Sequence, residues 1–372
     1  MKTKIGIVIG ALLLIGIWIY GAWSVWNLEV GSTITGAGVL VALAGLLWGV
    51  VGSTRESKTE DKAKSQDEDE KATALHDLAN RHSNTNKHEE AAEEYAEALK
   101  IYRRLAQQNP DAYEPDVADT LNNSANLHCD TNKREEAAAE YAEALKIYRR
   151  LAQQDPAVYE PDIANTLNNL ANLHYATNKY EEALTEYAEA LEIYWRFAKQ
   201  NLAVYEPYVA TALNNLANLH SDMNKHEEAA TEYSEALEIY RRLAKQNPDA
   251  YESDVAMTLN NLAILHKVTN KHEEATMEYV EALEIRRGLA KQNPDAYEPD
   301  VAMTLYNLAL LHSDTNKHEE AVKETTEALH IYEKFAKISS AAYQPYVDRC
   351  KAALAILQQS HADITNANEI AG

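Results

Sequence analysis

The sequence predicts an all-α chain, a solenoid of antiparallel helix pairs preceded by two transmembrane helices. Three observations predict it. The first fifty or so residues are apolar and hold ten of the twelve glycines, whereas all nine prolines lie at or after Pro110. The rest of the chain repeats with a fixed period of 46 residues, seen at Tyr113, Tyr159, Tyr205, Tyr251, Tyr297 and Tyr343 and again at Asn86, Asn132, Asn178, Asn224, Asn270 and Asn316. Within each period, apolar residues recur twice at helical spacing with a short polar break between them.

The N-terminal region divides into two spans. Residues 5–26 are apolar apart from Tyr20 and Ser24, and 34–52 form a second apolar stretch of spanning length. At ~1.5 Å per residue each crosses a hydrocarbon core of about 30 Å. Lys2 and Lys4 precede the first span, Arg55, Lys58, Lys62 and Lys64 follow the second, and the connector carries no basic residue. The positive-inside rule therefore places both termini in the cytoplasm of a two-span, multi-pass protein. Gly6 with Gly10, and Gly45 with Gly49, are small-residue pairs that suit close helix packing. The first stretch is long for a cleaved signal peptide, and a second span follows it directly. The expected organisation is a helical hairpin over 1–53, a charged linker over 54–71, six repeats over 72–344, a capping helix over 345–359 and a flexible tail over 360–372.

One unit, from Pro207 to Glu252, shows the pattern. Val209, Leu213, Leu216, Ala217 and His220 form one helical stripe, and the break Met223-Asn224-Lys225 follows. Ala229, Tyr233, Ala236, Leu237 and Tyr240 form a second stripe. The "NPDAYESD" stretch ends that helix, and in most units a further proline such as Pro115 or Pro161 falls in the first turn of the next one. Neither helix buries its stripe alone, so neighbouring units must stack.

Leu213, Leu216, Ala217, Ala229, Tyr233 and Ala236, with Leu167, Leu170, Ala171, Ala183, Tyr187 and Ala190 one unit earlier, give the chain its resemblance to the tetratricopeptide repeat family. The resemblance covers residues 72 to 338 and is strongest to the long-repeat subclass found in kinesin light chains and many bacterial proteins. It implies a right-handed superhelix whose first helices line the inner surface. Three departures stand out: the repeat is longer than usual, Ser124 stands where the family has Leu, and Thr325 replaces the second-helix aromatic.

Composition narrows the function. After residue 54 there are 33 basic and 57 acidic side chains, a balance of −24 that repels phosphate backbones, so no nucleic-acid partner is expected. Cys129 and Cys350 form no disulfide framework. No glycine occurs between Gly52 and Gly288, which removes phosphate-binding loops and nucleophile elbows. The recurring pairs His220 with His226, His266 with His272 and His312 with His318 are each split by a turn, with no carboxylate or cysteine spaced to complete a ligand set. The Glu-Glu pairs of the second helices, such as Glu135-Glu136, sit in a first turn, where the helix dipole favours them. No enzyme activity, metal or cofactor is expected.

The asparagines remain. "LNNLANLH" occurs at 167–174 and 213–220, with close variants at 121, 259 and 305. On a wheel with Asp119 at zero, Asn123, Asn126 and Asp130 fall within roughly 40° and Asn122 about 60° to the other side, all away from the apolar half. Two rows are expected in the groove, Asn122, Asn168, Asn214 and Asn260 beside Asn126, Asn172 and Asn218, with Tyr306 closing the first row. Glu or Lys would suit a merely wet helix better, by up to ~0.7 kcal/mol per position. An amide, with two donors and an acceptor, suits the main chain of an extended peptide. Peptide binding competes with two simpler origins of the rows: amides that bond between units, and copying of one ancestral choice. Ile264 and Leu310 make the face more apolar toward the C-terminus. The expected function is a membrane-anchored scaffold that binds a protein or extended peptide at the cytoplasmic face. The alternative is a self-assembling membrane solenoid without a dedicated peptide.

Overall fold

The computed structural model describes Trp48 and residues 62–371, with side chains to residue 359. The expected spans lie outside the described residues apart from Trp48. Among the described residues no helix is long and apolar enough to cross a membrane. The chain divides into two compact units, Met1–Glu70 and Lys71–Gly372, and the second carries the repeats.

Thirteen helices and no strand occur among the described residues. The first repeat pairs α1 (62–84) with α2 (His88–Gln108). Four more follow: α3 (Pro110–Asp130) with α4 (Arg134–Leu151), α5 (Pro156–Ala176) with α6 (Tyr180–Ala198), α7 (Leu202–Asp222) with α8 (His226–Gln246), and α9 (Pro248–Val268) with α10 (His272–Gln292). The sixth is α11 (Pro294–Asp314) with α12 (His318–Ala336), and α13 (Ser340–Ala371) packs on α12. From α2 onward each helix packs on its neighbours in sequence, and from α3 to α11 consecutive first helices also touch one another. The result is a two-layer all-α repeat solenoid.

The turn inside each repeat is closed by one residue. Asn86, Asn132, Asn178, Asn224, Asn270 and Asn316 all adopt φ near +60°, between 58° and 61°. Asparagine tolerates that left-handed conformation better than other residues with a Cβ. In the second repeat Asn132 N donates to Cys129 O at 3.0 Å and Lys133 N to His128 O at 2.7 Å, the two bonds of a Schellman motif. The next helix starts one residue later.

The boundary between repeats differs from the sequence expectation. The first helices begin at Pro110, Pro156, Leu202, Pro248 and Pro294, and the closing helix at Ser340, five residues before the positions read as their first turn. Pro110, Pro156, Pro248 and Pro294 occupy the first helical position, where a missing N–H costs nothing. Pro115, Pro161, Pro207, Pro299 and Pro345 lie inside the helices. Each removes one backbone bond early in its helix, and the helix passes through. The last helix runs unbroken from Ser340 to Ala371.

Packing follows the two stripes. Ala118, Ala125, Ala137 and Ala144 are fully buried where helices approach closely, and Tyr141, Tyr187 and Tyr279 are among the largest fully buried side chains. Burial of each such ring or leucine contributes about 1.5–3 kcal/mol. The two substituted family positions are accommodated by hydrogen bonds. Ser124 donates to Glu140 Oε1 at 2.9 Å, and buried Thr325 donates to Ala321 O at 2.7 Å.

Candidate peptide-binding face

The first-helix layer carries the asparagines in three rows. The first row, Asn122, Asn168, Asn214 and Asn260, is only 8, 9, 2 and 3% exposed. That differs from the open position the wheel gave. The first helix of the neighbouring repeat packs on that side, so residues about 60° from the centre of the free face become interhelical. Asn168 Oδ1 accepts from Asn215 Nδ2 at 3.4 Å, and Asn260 Oδ1 from Asn307 Nδ2 at 3.2 Å. Tyr306 is half-buried against the cluster around Leu305 and Cys350.

The second row is Asn126, Asn172 and Asn218. Each accepts a hydrogen bond from the second-helix tyrosine of its own repeat: Tyr141, Tyr187 and Tyr233 donate to their Oδ1 atoms at 2.5 Å. Tyr95 donates likewise to Asn80 at 2.6 Å. Asn172 is exposed, and Asn126 and Asn218 are half-buried. Among the described residues their Nδ2 groups make no hydrogen bond.

A third row, which the sequence left out of the candidate site, is Asn123, Asn169, Asn215, Asn261 and Asn307, all half-buried. Its signal was present, because Asn123 lay near the middle of the outward arc. Here the polarity is reversed. Asn123 Nδ2 donates to His76 Nε2 at 3.2 Å, and Asn261 Nδ2 to Asn218 Oδ1 at 3.3 Å. With Asn215 and Asn307 these bonds run back to the preceding repeat, while the Oδ1 atoms of the row are left without a partner among the described residues. Asn218 Oδ1 receives both Tyr233 and Asn261, which fixes its orientation. One row therefore presents amide donors and the next presents carbonyl acceptors.

The histidines of the first helices are held by carboxylates that sequence spacing alone did not reveal. His82, His128, His174, His220, His266 and His312 contact Glu94, Glu140, Glu186, Glu232, Glu278 and Glu324 through Nδ1 at 2.8–2.9 Å. Twelve residues separate the partners, which meet only because the turn folds the second helix back. Burial lifts Glu186, Glu232, Glu278 and Glu324 above the usual carboxylate range, against the lowering effect of the histidine bond. No group of three or more metal-ligating side chains occurs among the described residues.

Near the N-terminal end of the face, Tyr148 donates to Asp119. Burial, then the charge of Asp119, pushes Asp162 up to about 6. Further along, Arg286 stands where other repeats have tyrosine. It is buried and donates to Asp300 O at 3.1 Å and Thr304 Oγ1 at 2.5 Å.

A stack of antiparallel helix pairs with an asparagine-rich face on its first helices defines a helical repeat protein. A tetratricopeptide-repeat family model matches residues 116–196, 162–242, 208–288 and 254–334, and a second matches 72–111. The chain belongs to the tetratricopeptide repeat family, and with that membership it is a protein-interaction scaffold. Among solved structures it is similar to BtubC (BKLC) from P. vanneervenii, at 25% identity and a TM-score of 0.53, over 66% of this chain and 90% of that one. It is also similar to PilF of Pseudomonas aeruginosa, at 18% and 0.44, over 76% and 99%. A third is YrrB, described as a TPR protein with an unusual peptide-binding site, at 17% and 0.36, over 62% and 91%. No curated protein matches the chain.

Proposed function

We propose that the chain is a membrane-tethered, non-catalytic scaffold that holds an extended peptide segment of a partner along its first-helix face. One observation carries this reading. The second asparagine row keeps its Nδ2 donors unused while the third keeps its Oδ1 acceptors unused. An extended main chain offers an alternation of C=O and N–H, and these rows match both. In the first row Asn168 and Asn260 bridge repeats and hold Asn215 and Asn307 in register. The tether rests on the two apolar sequence spans, and the cytoplasmic side on the lysines and arginines that flank them.

The test is an in-membrane crosslinking pull-down with Asn169, Asn215 and Asn261 replaced together by alanine. These changes remove the acceptors together with the bonds that Asn215 and Asn261 donate to Asn168 and Asn218, and leave the tyrosine bonds of the second row in place. Loss of the wild-type partners is expected, and an unchanged partner set with normal helicity sinks the reading.

Self-assembly has one observation in its favour. Met277 and Val280, one turn apart on α10, are 65 and 41% exposed on the opposite layer. The native mass of the full-length chain separates the two readings, since a peptide scaffold functions as a monomer.

A further inference from the structure

The first-helix face changes character along the stack. In α1, α3, α5 and α7 its outward positions include Thr73, Asp77, Asp119, Asn123, Asp130, Asn165, Asn169, Thr211, Asn215 and Asp222, with the second asparagine row and, near the helix starts, exposed Val158 and Val204, and none of these is basic. Asp77, Asp119 and Asp130 are exposed and Asp162 is half-buried, and none has an ion-pair partner among the described residues. From α9 onward several of these positions turn apolar, while Asn261, Asn307 and Asp314 stay polar. Met257, Ile264, Val268 and Ile356 are 37, 39, 60 and 67% exposed, and Met303 and Leu310 are half-buried beside them. Met257, Ile264 and Val268 lie seven and four residues apart, one stripe of α9. Met303 and Leu310 repeat that spacing on α11, which touches α9.

A stripe of this kind, at positions that hold Thr211, Asn218 and Asp222 in α7, has no structural need to be apolar. Asn126, Asn172 and Asn218 fill the position of Ile264 and Leu310 in the earlier repeats. Leaving apolar side chains open to water forgoes the stabilisation that their burial against an occupant provides. Charge settles what that occupant is. An anionic lipid surface is repelled by the carboxylates of the first half. A second copy would set the same carboxylates against one another. A cationic, partly apolar peptide complements both halves.

Resting on the peptide-binding reading, we propose that the ligand is a bipartite peptide. Its basic stretch lies over α1–α5 and its apolar stretch over α9, α11 and the start of α13. The order of the two halves fixes the direction of the ligand along the stack.

The experiment uses full-length protein and a synthetic peptide with a lysine-rich half and a leucine-rich half, carrying a benzophenone in the leucine half. Crosslinked residues are mapped by mass spectrometry. Crosslinks are expected on α9, α11 and α13. Their yield is expected to fall at least tenfold in a Met257→Thr, Ile264→Asn, Leu310→Asn variant. Each change installs the residue that an earlier repeat carries at that position, so the fold is retained, and circular dichroism checks this. The yield is also expected to fall when the leucines are replaced by serine or the lysines by glutamate. An undiminished yield in the triple variant, or equal yield with either altered peptide, overturns the proposal. Crosslinks confined to α3, α5 and α7 overturn the bipartite assignment while the peptide face survives. No crosslink to any first helix overturns both.

Discussion

The first four repeats and the last two share a backbone plan but not a face. In the first four, the second-helix tyrosine donates to an asparagine of its own first helix: Tyr95 to Asn80, Tyr141 to Asn126, Tyr187 to Asn172 and Tyr233 to Asn218. In the fifth, Tyr279 is equally buried but Ile264 replaces the amide. In the sixth, both partners have gone, leaving Thr325 and Leu310. The scaffold thus tolerates loss of the pair, which means that the fold alone does not require the asparagines. Two features stay constant in all six repeats: the left-handed asparagine of the turn and the histidine–glutamate contact. Those are the elements that close a helix pair, and the face residues are free to serve a ligand.

The largest expected effect that breaks this comparison is loss of a buried ring. Tyr187→Ala should cost about 3–5 kcal/mol, read as a drop in the urea midpoint, because Tyr187 is 1% exposed. The turn comes next. Asn178→Ala should cost about 1–2 kcal/mol and Asn178→Gly far less, since glycine keeps the left-handed φ of 58° and loses only the exposed bond that Tyr180 Oη donates to Asn178 Oδ1. The hydroxyl alone sharpens the contrast between halves. Tyr187→Phe removes the bond to Asn172 Oδ1 and should cost about 1 kcal/mol, whereas Tyr279→Phe, in the repeat where Ile264 replaces that asparagine, should be near neutral.

Acidity gives the fourth test. The folded state holds the Asp162 proton more tightly than the unfolded chain, so this group's stabilisation is complete below 3.8 and is lost as pH rises through about 6. Asp162→Asn should therefore raise the melting temperature at pH 7.5 but not at pH 4, by the equivalent of about 1 kcal/mol once partial exposure is discounted. The smallest effect concerns exposed bridges between second helices. Arg103–Glu143, Arg149–Glu189, Arg241–Glu281 and Arg287–Glu327 repeat, but Trp195 interrupts the series. Arg149→Ala breaks the bridge to Glu189 and should lose at most ~0.5 kcal/mol in a thermal melt.

Much of the fold was legible because the copies agree in phase. The period, the two helices per repeat and the closing helix all follow from residues such as Tyr113 and Asn86 recurring at a fixed step. Boundaries were less legible. Pro115 and its counterparts look like helix starts, yet the helices tolerate them internally, and the true start lies five residues earlier. Half of the candidate face was misplaced for a geometric reason. A wheel separates Leu121 from Asn122, but the side on which the next first helix docks depends on stacking, and that docking buries Asn122, Asn168, Asn214 and Asn260. Asn123 and Asn169, nearer the centre of the arc, remain half-buried. The histidine partners were invisible because Glu140 and Glu232 lie across a turn from His128 and His220.

The central claim is that the first-helix face, and not the second-helix layer, carries the partner. A photo-crosslinking amino acid placed at Asn172, at Ile264 or at exposed Met277 of the full-length chain in its native membrane tests it most directly. Capture of the same partner from Asn172 and Ile264, with none from Met277, is the expected result. Capture from Met277 alone would contradict it.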